Sequence, residues 1–213
     1  LDALSCSKAT RNHEAGEILF WDGAPSEGLW CISEGCVGLR TGERLTRIGY
    51  AGDTLGLEAF FAGGVHKATA VTLSEARTCF FDRADIEGTL AESPSLSRQF
   101  LKTLSERTRT LKQKLVDETR LPIRERLVRC LRELAEHLGE GGEERRAVSF
   151  RLPLARRDLA ALLGARPETL SRAIRGLARD RRVTFSGRRV TLACMDERTV
   201  EIDDACPAPG SKS

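Results

Sequence analysis

The 213-residue chain has no apolar run near the length of a membrane span and no charged-then-apolar leader, so neither a bilayer segment nor a secretory signal is read from it. The expectation is a cytoplasmic protein with no membrane partner. Its seven cysteines (Cys6, Cys31, Cys36, Cys79, Cys130, Cys194, Cys206) form no CxxC pair and no close Cys/His cluster, and their count is odd. A zinc site, any other metal centre and a disulfide framework are therefore unsupported. Histidine is scarce, with His13, His66 and His137 only, and no GxSxG, P-loop, HExxH or His/Asp/Ser grouping occurs. Catalysis would need a nucleophile, a base and an oxyanion site, so the chain is not expected to be an enzyme.

Lysine is absent from residues 145–193, yet this stretch is the most basic in the chain. Thirteen arginines there face three acids (Asp158, Glu168, Asp180), whereas the whole sequence has a net charge of only +3. Residues 1–93 have the opposite balance, with eight Lys/Arg against fourteen Asp/Glu. A polyanion would be drawn to one end of the molecule and repelled from the other.

The basic stretch also has a readable order in LARRDLAALLGARPETLSRAIRGLARDRRVTFSGRRVTL, residues 154–192. A first helix near 158–163 offers Leu159, Leu162 and Leu163 for packing, and Gly164 suits its end. Pro167 suits the first position of a second helix, where its missing N–H would have had no partner. There Leu170, Ala173, Ile174 and Leu177 recur at i, i+3, i+4 and i+7 as an apolar stripe, while Glu168, Ser171, Arg172, Arg175 and Arg179 take another side. Residues 183–185 and 190–192 flank Ser186-Gly187 and Arg188-Arg189, which reads as a hairpin. Helix, turn, helix and hairpin make a winged helix-turn-helix, a motif that lays one helix in the major groove of double-stranded DNA. Arg156, Arg157, Arg188 and Arg189 are backbone-contact candidates that sequence does not separate from solvated charges. Arg166, at the N-cap, supplies no acceptor for the free amides and puts a cation at the positive helix end, which a DNA phosphate would offset. An Arg swung into solvent is the competing reading.

Upstream, residues 18–21, 29–33, 36–40, 44–48, 68–73 and 78–81 are short β-type runs separated by Gly, Pro, Asp and Ser turns, the spacing of a sandwich or barrel. From Pro94 the period becomes helical, with Leu101, Leu104, Thr108, Leu111 and Leu115 as an a/d seam flanked by Arg107, Arg109, Lys112 and Lys114. The seam predicts a helix-to-helix homodimer contact. A further helix near 121–138 and a polar loop over 139–144 lead into the basic segment. The fold class is thus α+β, divided as sensor 1–93, dimerisation helix 94–120, DNA-binding domain 121–206 and a disordered tail 207–213. Cys31 and Cys36 read either as two half-buried apolar residues or as a reversibly oxidised thiol pair, which needs a lowered thiolate pKa.

In GEILFWDGAPSEGLWCISEGCVGL, GDTLGLEAFF and PETLSR the chain resembles the CRP/FNR family of bacterial transcription regulators, over nearly its whole length. The resemblance implies an antiparallel β-roll of the cyclic nucleotide-binding, jelly-roll kind, a dimer on a two-fold symmetric operator, a signal at the β-roll and contact with RNA polymerase. Glu168, Ser171 and Arg172 match the family's base-reading positions, with Thr169 beside them. Arg can pair bidentately with guanine and Glu can accept from cytosine N4, favouring a G·C pair in each half-site. Pro167 points to the fumarate-nitrate type of reader and a TTGAT-like half-site.

The effector stretch corresponds to Gly56, Leu57 and Glu58, then Lys67, Ala68 and Thr69. Where cyclic AMP binders carry glutamate, arginine and a hydroxyl, this chain has Leu57, Lys67 and Ala68. Leucine cannot accept from a ribose hydroxyl and lysine lacks the planar fork of guanidinium, which argues against cyclic AMP. Only Cys6 precedes the first strand, so the cysteine cluster of the iron-sulfur type is missing. Haem, with a histidine or cysteine axial ligand, or another small molecule stays open as cofactor. The alternative is a small-molecule or redox sensing module whose helix-turn-helix serves protein contacts.

Overall fold

The structure, a computed structural model, describes residues 10–139 and 147–193. The tail 207–213, residues 140–144 of the expected loop, and Cys6, Cys194 and Cys206 lie outside the described residues.

Short runs of β-branched and aromatic residues, cut by Gly, Asp and Ser, become β1 (Thr10–His13), β2 (Ile18–Phe20), β3 (Gly28–Glu34), β4 (Cys36–Thr41), β5 (Arg44–Tyr50) and β6 (Thr54–Leu55). After helix α1 (Leu57–Ala62) come β7 (Thr69–Thr72) and β8 (Ala76–Asp82). They form two four-stranded sheets, ordered β1-β8-β3-β6 and β2-β7-β4-β5, with antiparallel pairing. The chain changes sheet between β3 and β4 at Gly35, whose φ is +79° and where a Cβ would lie 2.2 Å from Glu75 O. Only glycine fits a left-handed corner that tight. Ile32 and Leu55 from one sheet meet Val37 and Ala70 from the other and close the space between them. This is the β-roll. β1 and β6 are not foreseen from the sequence, because TRNH is polar and exposed and β6 is only two residues long.

The helices start where their caps allow. Asp82 accepts the Asp85 N–H at 2.9 Å and opens α2 (Arg83–Glu92). Ser93 caps α3 (Pro94–Arg120) through the Leu96 N–H, with Pro94 in its first turn. Pro122 forces Leu121 into an extended conformation (φ −98°, ψ 136°), so α4 runs Ile123–Leu138 and begins two residues later than the sequence suggests. Then follow β9 (Ala147–Arg151), α5 (Arg156–Leu162), α6 (Pro167–Arg179), β10 (Val183–Ser186) and β11 (Arg189–Ala193). The carboxy-terminal half is the expected winged helix-turn-helix, with one addition. β9 joins the hairpin to give a three-stranded sheet, β10-β11-β9.

One apolar cluster crosses the domain division. Leu45, Ile48 and Tyr50 of β5 share it with Leu127, Leu131 and Leu134 of α4, with Leu159 of α5 and with Leu170, Ile174 and Leu177 of α6. A second cluster joins Leu29, Phe81 and Phe60 to Ile86 of α2 and to Leu96 and Phe100 of α3. Each leucine so buried contributes about 1.5–3 kcal/mol, so the helices are held by packing more than by propensity.

The expected seam on α3 is divided. Leu101, Leu111 and Leu115 are 64%, 57% and 65% exposed, an apolar row left open among the described residues, and Val116 extends it. Thr108 is exposed as well, its hydroxyl donating to Leu104 O at 2.9 Å. Leu104 departs from the row. It is half-buried against the second cluster, because the first turns of α3 lie on the chain's own β-roll.

Candidate nucleic-acid interface and effector cavity

α6 turns its two faces to different neighbours. Leu170, Ala173, Ile174 and Leu177 are buried, while Glu168, Arg172, Arg175 and Arg179 are exposed and Thr169 and Ser171 half-buried between them. The helix begins as its residues dictate. Gly164 takes φ +59° just past α5, where a Cβ is disfavoured, and Pro167 stands in the first turn. Arg166 is the N-cap, exposed and giving no side-chain hydrogen bond to the first amides. Those amides have no side-chain cap, and Glu168 is the acid in the first turn.

Exposed arginines also lie on α5 and on the wing. Arg156 and Arg157 are exposed in the first turn of α5, and the Arg156 guanidinium lies 5.8 Å from the Phe185 ring centroid on β10, which joins that turn to the wing. Arg188 sits in the wing turn and Arg189 opens β11, both exposed. Arg189 stands opposite Arg151 of β9 in the strand register. Arg151 is exposed in that register and joins the phosphate-contact candidates. Sequence reasoning misses it, since nothing local marks β9 as part of the wing.

Between reading domain and β-roll lies an ion pair that no local pattern foretells, with its members 118 residues apart. Arg40 Nη1 of β4 donates to Asp158 Oδ1 of α5 at 2.9 Å, with the Asp158 side chain only 9% exposed. Arg44 donates to Ala161 O at 3.3 Å and Arg126 to Leu163 O at 3.0 Å, which satisfies carbonyls at the end of α5.

The effector stretch opens on a cavity of about 690 Å³ between the β-roll, α3 and α4. Gly56, Leu57, Glu58, Lys67 and Ala68 line it together. Thr69 does not join them, and its hydroxyl accepts the Asp22 N–H at 3.1 Å. His66 and His137 also line the cavity, His66 stacked on Phe20 and His137 on Tyr50 with centroids 3.8 and 4.0 Å apart. His13 is committed elsewhere, its ring nitrogens bonded to Glu17 and Thr78. Among the described residues no group of three or more His, Cys, Asp or Glu is placed to hold a metal ion.

Arg107, read from the sequence as a solvated flank of the seam, instead reaches the cavity wall and donates to Thr54 O. Burial, and then the neighbouring Arg47 guanidinium, lower its pKa to about 10. Arg47 itself pairs with Asp53 at 3.2 Å.

Cys31 and Cys36 are both free thiols. They fall in different sheets, bonded to the Thr54 and Ser74 hydroxyls, and burial raises both thiols above their ordinary pKa. A reactive thiol needs the opposite shift, so burial favours the small-apolar reading of both.

Two families match the chain: the cyclic nucleotide-binding domain over residues 10–93 and the Crp-like helix-turn-helix domain over residues 125–197. A CRP-like cAMP-activated global transcriptional regulator of Mycobacterium tuberculosis is 29% identical over 185 residues, covering 84% of this chain and 81% of that protein. A fumarate and nitrate reduction regulatory protein of Vibrio cholerae is 24% identical, covering 84% and 72%. Among solved structures, FixK2 from Bradyrhizobium japonicum superposes with a TM-score of 0.73 at 23% identity, covering 86% of this chain and 91% of that one. TTHA1359, a CRP/FNR family regulator from Thermus thermophilus, gives 0.72 at 21% identity, covering 87% and 94%. At such identities the structural likeness speaks for the fold.

Proposed function

Because the chain belongs to the CRP/FNR family of DNA-binding transcriptional regulators, we propose that it reads a two-fold symmetric operator as a homodimer, under control of a small molecule in the β-roll cavity. Residues 1–93 sense, 94–120 pair the subunits through Leu101, Thr108, Leu111 and Leu115, and 121–206 bind DNA. The protein acts in the cytoplasm, and its DNA-bound dimer meets RNA polymerase.

The observation that carries this reading is the exposed polar face of α6, together with exposed arginines on α5 and the wing. Arg172 pairs with guanine O6 and N7, and Glu168 accepts from the cytosine of a G·C pair. Ser171, Thr169 and Arg175 contact neighbouring edges and phosphates. Arg156, Arg157, Arg188 and Arg189 neutralise the backbone, while Arg166 and the free amides behind it receive one phosphate. The exposed leucine row on α3 supplies the second subunit's seat, which doubles the site to match an inverted repeat.

An electrophoretic shift series on an inverted TTGAT repeat and a scrambled duplex, run across salt concentrations, tests the reading. Specific binding with a steep salt slope is the expected result. A monomer in native mass spectrometry that ignores both duplexes at every salt, redox state and ligand condition would end it.

A further inference from the structure

We propose that the hairpin of β4 and β5 clamps the reading domain through Arg40 and Arg44, and so makes the dimer selective for the number of base pairs between the two half-sites of its operator. This rests on the reading of the chain as a dimeric operator binder and adds two positioning residues from the β-roll.

The hold starts in the hairpin's own turn. Gly42 takes φ +57° between β4 and β5, and Arg40 Nη1 closes that turn by donating to Glu43 O at 2.9 Å. The same nitrogen reaches Asp158 Oδ1 on α5 at 2.9 Å. One helical turn further along the same face of α5, Arg44 Nη2 donates to Ala161 O at 3.3 Å, so residues on either side of the hairpin turn grip successive turns of the helix. Leu45 of β5 and Leu159 of α5, both fully buried, belong to one apolar cluster. A single contact would be a pivot. Two polar bonds added to an apolar seat remove the rotation as well.

What holds α5 also holds α6. Leu159 shares its cluster with Leu170, Ile174 and Leu177, and the Ala165 N–H donates to Ala160 O at 2.9 Å across the turn at Gly164. Glu118 of α3 lies against the same turn, its Oε1 3.2 Å from where a Cβ on Gly164 would stand, and Arg126 of α4 donates to Leu163 O at 3.0 Å. The reading helix is thus fixed to the β-roll and to α3, not hung from a hinge. Along B-DNA each base pair advances about 3.4 Å and turns about 35°, and halving this between two subunits still leaves a shift that a bond of 2.9 Å does not survive. A spacer of the wrong length therefore has to break the clamp. Asp158, 6% exposed, would then be left as an unpaired buried charge, which is costly.

Fluorescence anisotropy with the full chain tests this on inverted TTGAT repeats whose spacer grows one base pair at a time, and on a duplex with a single half-site. The wild type should favour one spacer over its neighbours by roughly ten-fold or more, since the misfit must be met by a broken contact or by deformed DNA. Two variants probe the clamp: Arg44→Ala, and Arg40→Ala joined to Asp158→Asn so that no buried charge is stranded. Each should shrink the preference to about three-fold and leave binding to the single half-site unweakened. Helical circular dichroism checks that each variant is folded, and either one alone decides the matter if the other is not. A spacer profile as sharp as the wild type's in the folded variants, a wild type that takes neighbouring spacers alike, or equal loss on the single half-site and the favoured repeat overturns the proposal. A wild type that binds every repeat no better than the single half-site removes the dimeric reading itself.

Discussion

The β-roll and the reading domain share a core but place their charges in opposite ways. In the sensing half three arginines are matched by acids: Arg47 by Asp53, Arg83 by Glu87, Arg77 by Glu34. On the reading face Arg157, Arg166 and Arg172 make no ion pair among the described residues, and Asp158, the acid in their midst, is turned inward to Arg40 of the β-roll. Paired charges hold a shape with little field around it, and unpaired arginines keep a field that reaches a polyanion. The sensing half pairs arginines with its acids and keeps an acidic excess, while the reading half leaves its arginines open.

The hardest blow to the comparison is struck in the shared core. Leu159→Ala empties a fully buried site and should cost about 2–5 kcal/mol. Trp21 and Trp30 both lie in the sensing half, so if the cluster spans both halves their fluorescence transition should fall together with the helical circular dichroism. Separate transitions would mean that the halves melt independently. Next in size is Asp158→Ala, which leaves Arg40 with only Glu43 O and should cost about 1–3 kcal/mol. The double variant with Arg40→Ala should recover part of the loss, and a coupling energy near zero by denaturant titration would remove the ion pair as a link between halves.

Arg172→Ala should leave stability within about 0.5 kcal/mol and cost about 1–3 kcal/mol in operator binding, with preference relaxed at one base pair. Equal loss on specific and scrambled DNA would reject its reading role. Arg166→Ser should act with opposite signs on fold and function. A hydroxyl at the N-cap adds about 0.5–1 kcal/mol of stability, whereas loss of the cation weakens DNA binding a few-fold. A fall in both quantities would show that Arg166 holds the fold.

The smallest effect is the pH response of His66, buried against Phe20, where burial lowers its pKa. The folded protein favours the neutral ring. Its stability is therefore full above the ordinary histidine value of about 6.5 and is lost as pH falls through the lowered folded value. Melting at pH 7.5 and 5.5 should show a drop in the wild type that His66→Phe lessens.

Much of this is legible in the sequence because local rules and global packing agree. The 3, 1, 3 spacing of Leu170, Ala173, Ile174 and Leu177, Gly164 and Pro167 each name one conformation, and the structure adopts it. Leu104 leaves the expected row because an apolar heptad position says that it is covered but not by what. Arg107 departs for the same reason, a cation on a helix flank being solvated unless a cavity happens to lie beside it. The Arg40 to Asp158 pair is out of reach, since nothing within either local window refers to the other. Thr69 fails as a cavity residue because the motif aligns backbone positions and does not fix where a hydroxyl turns.

Leu45, Ile48 and Tyr50 belong to the same cluster as α4, α5 and α6, so the two halves are not beads on a string. A fragment beginning after α3 would carry a raw apolar scar where the β5 ribbon had been, and would clump or swap partners in solution. Anyone grafting a foreign sensor onto this reader must transplant that ribbon too.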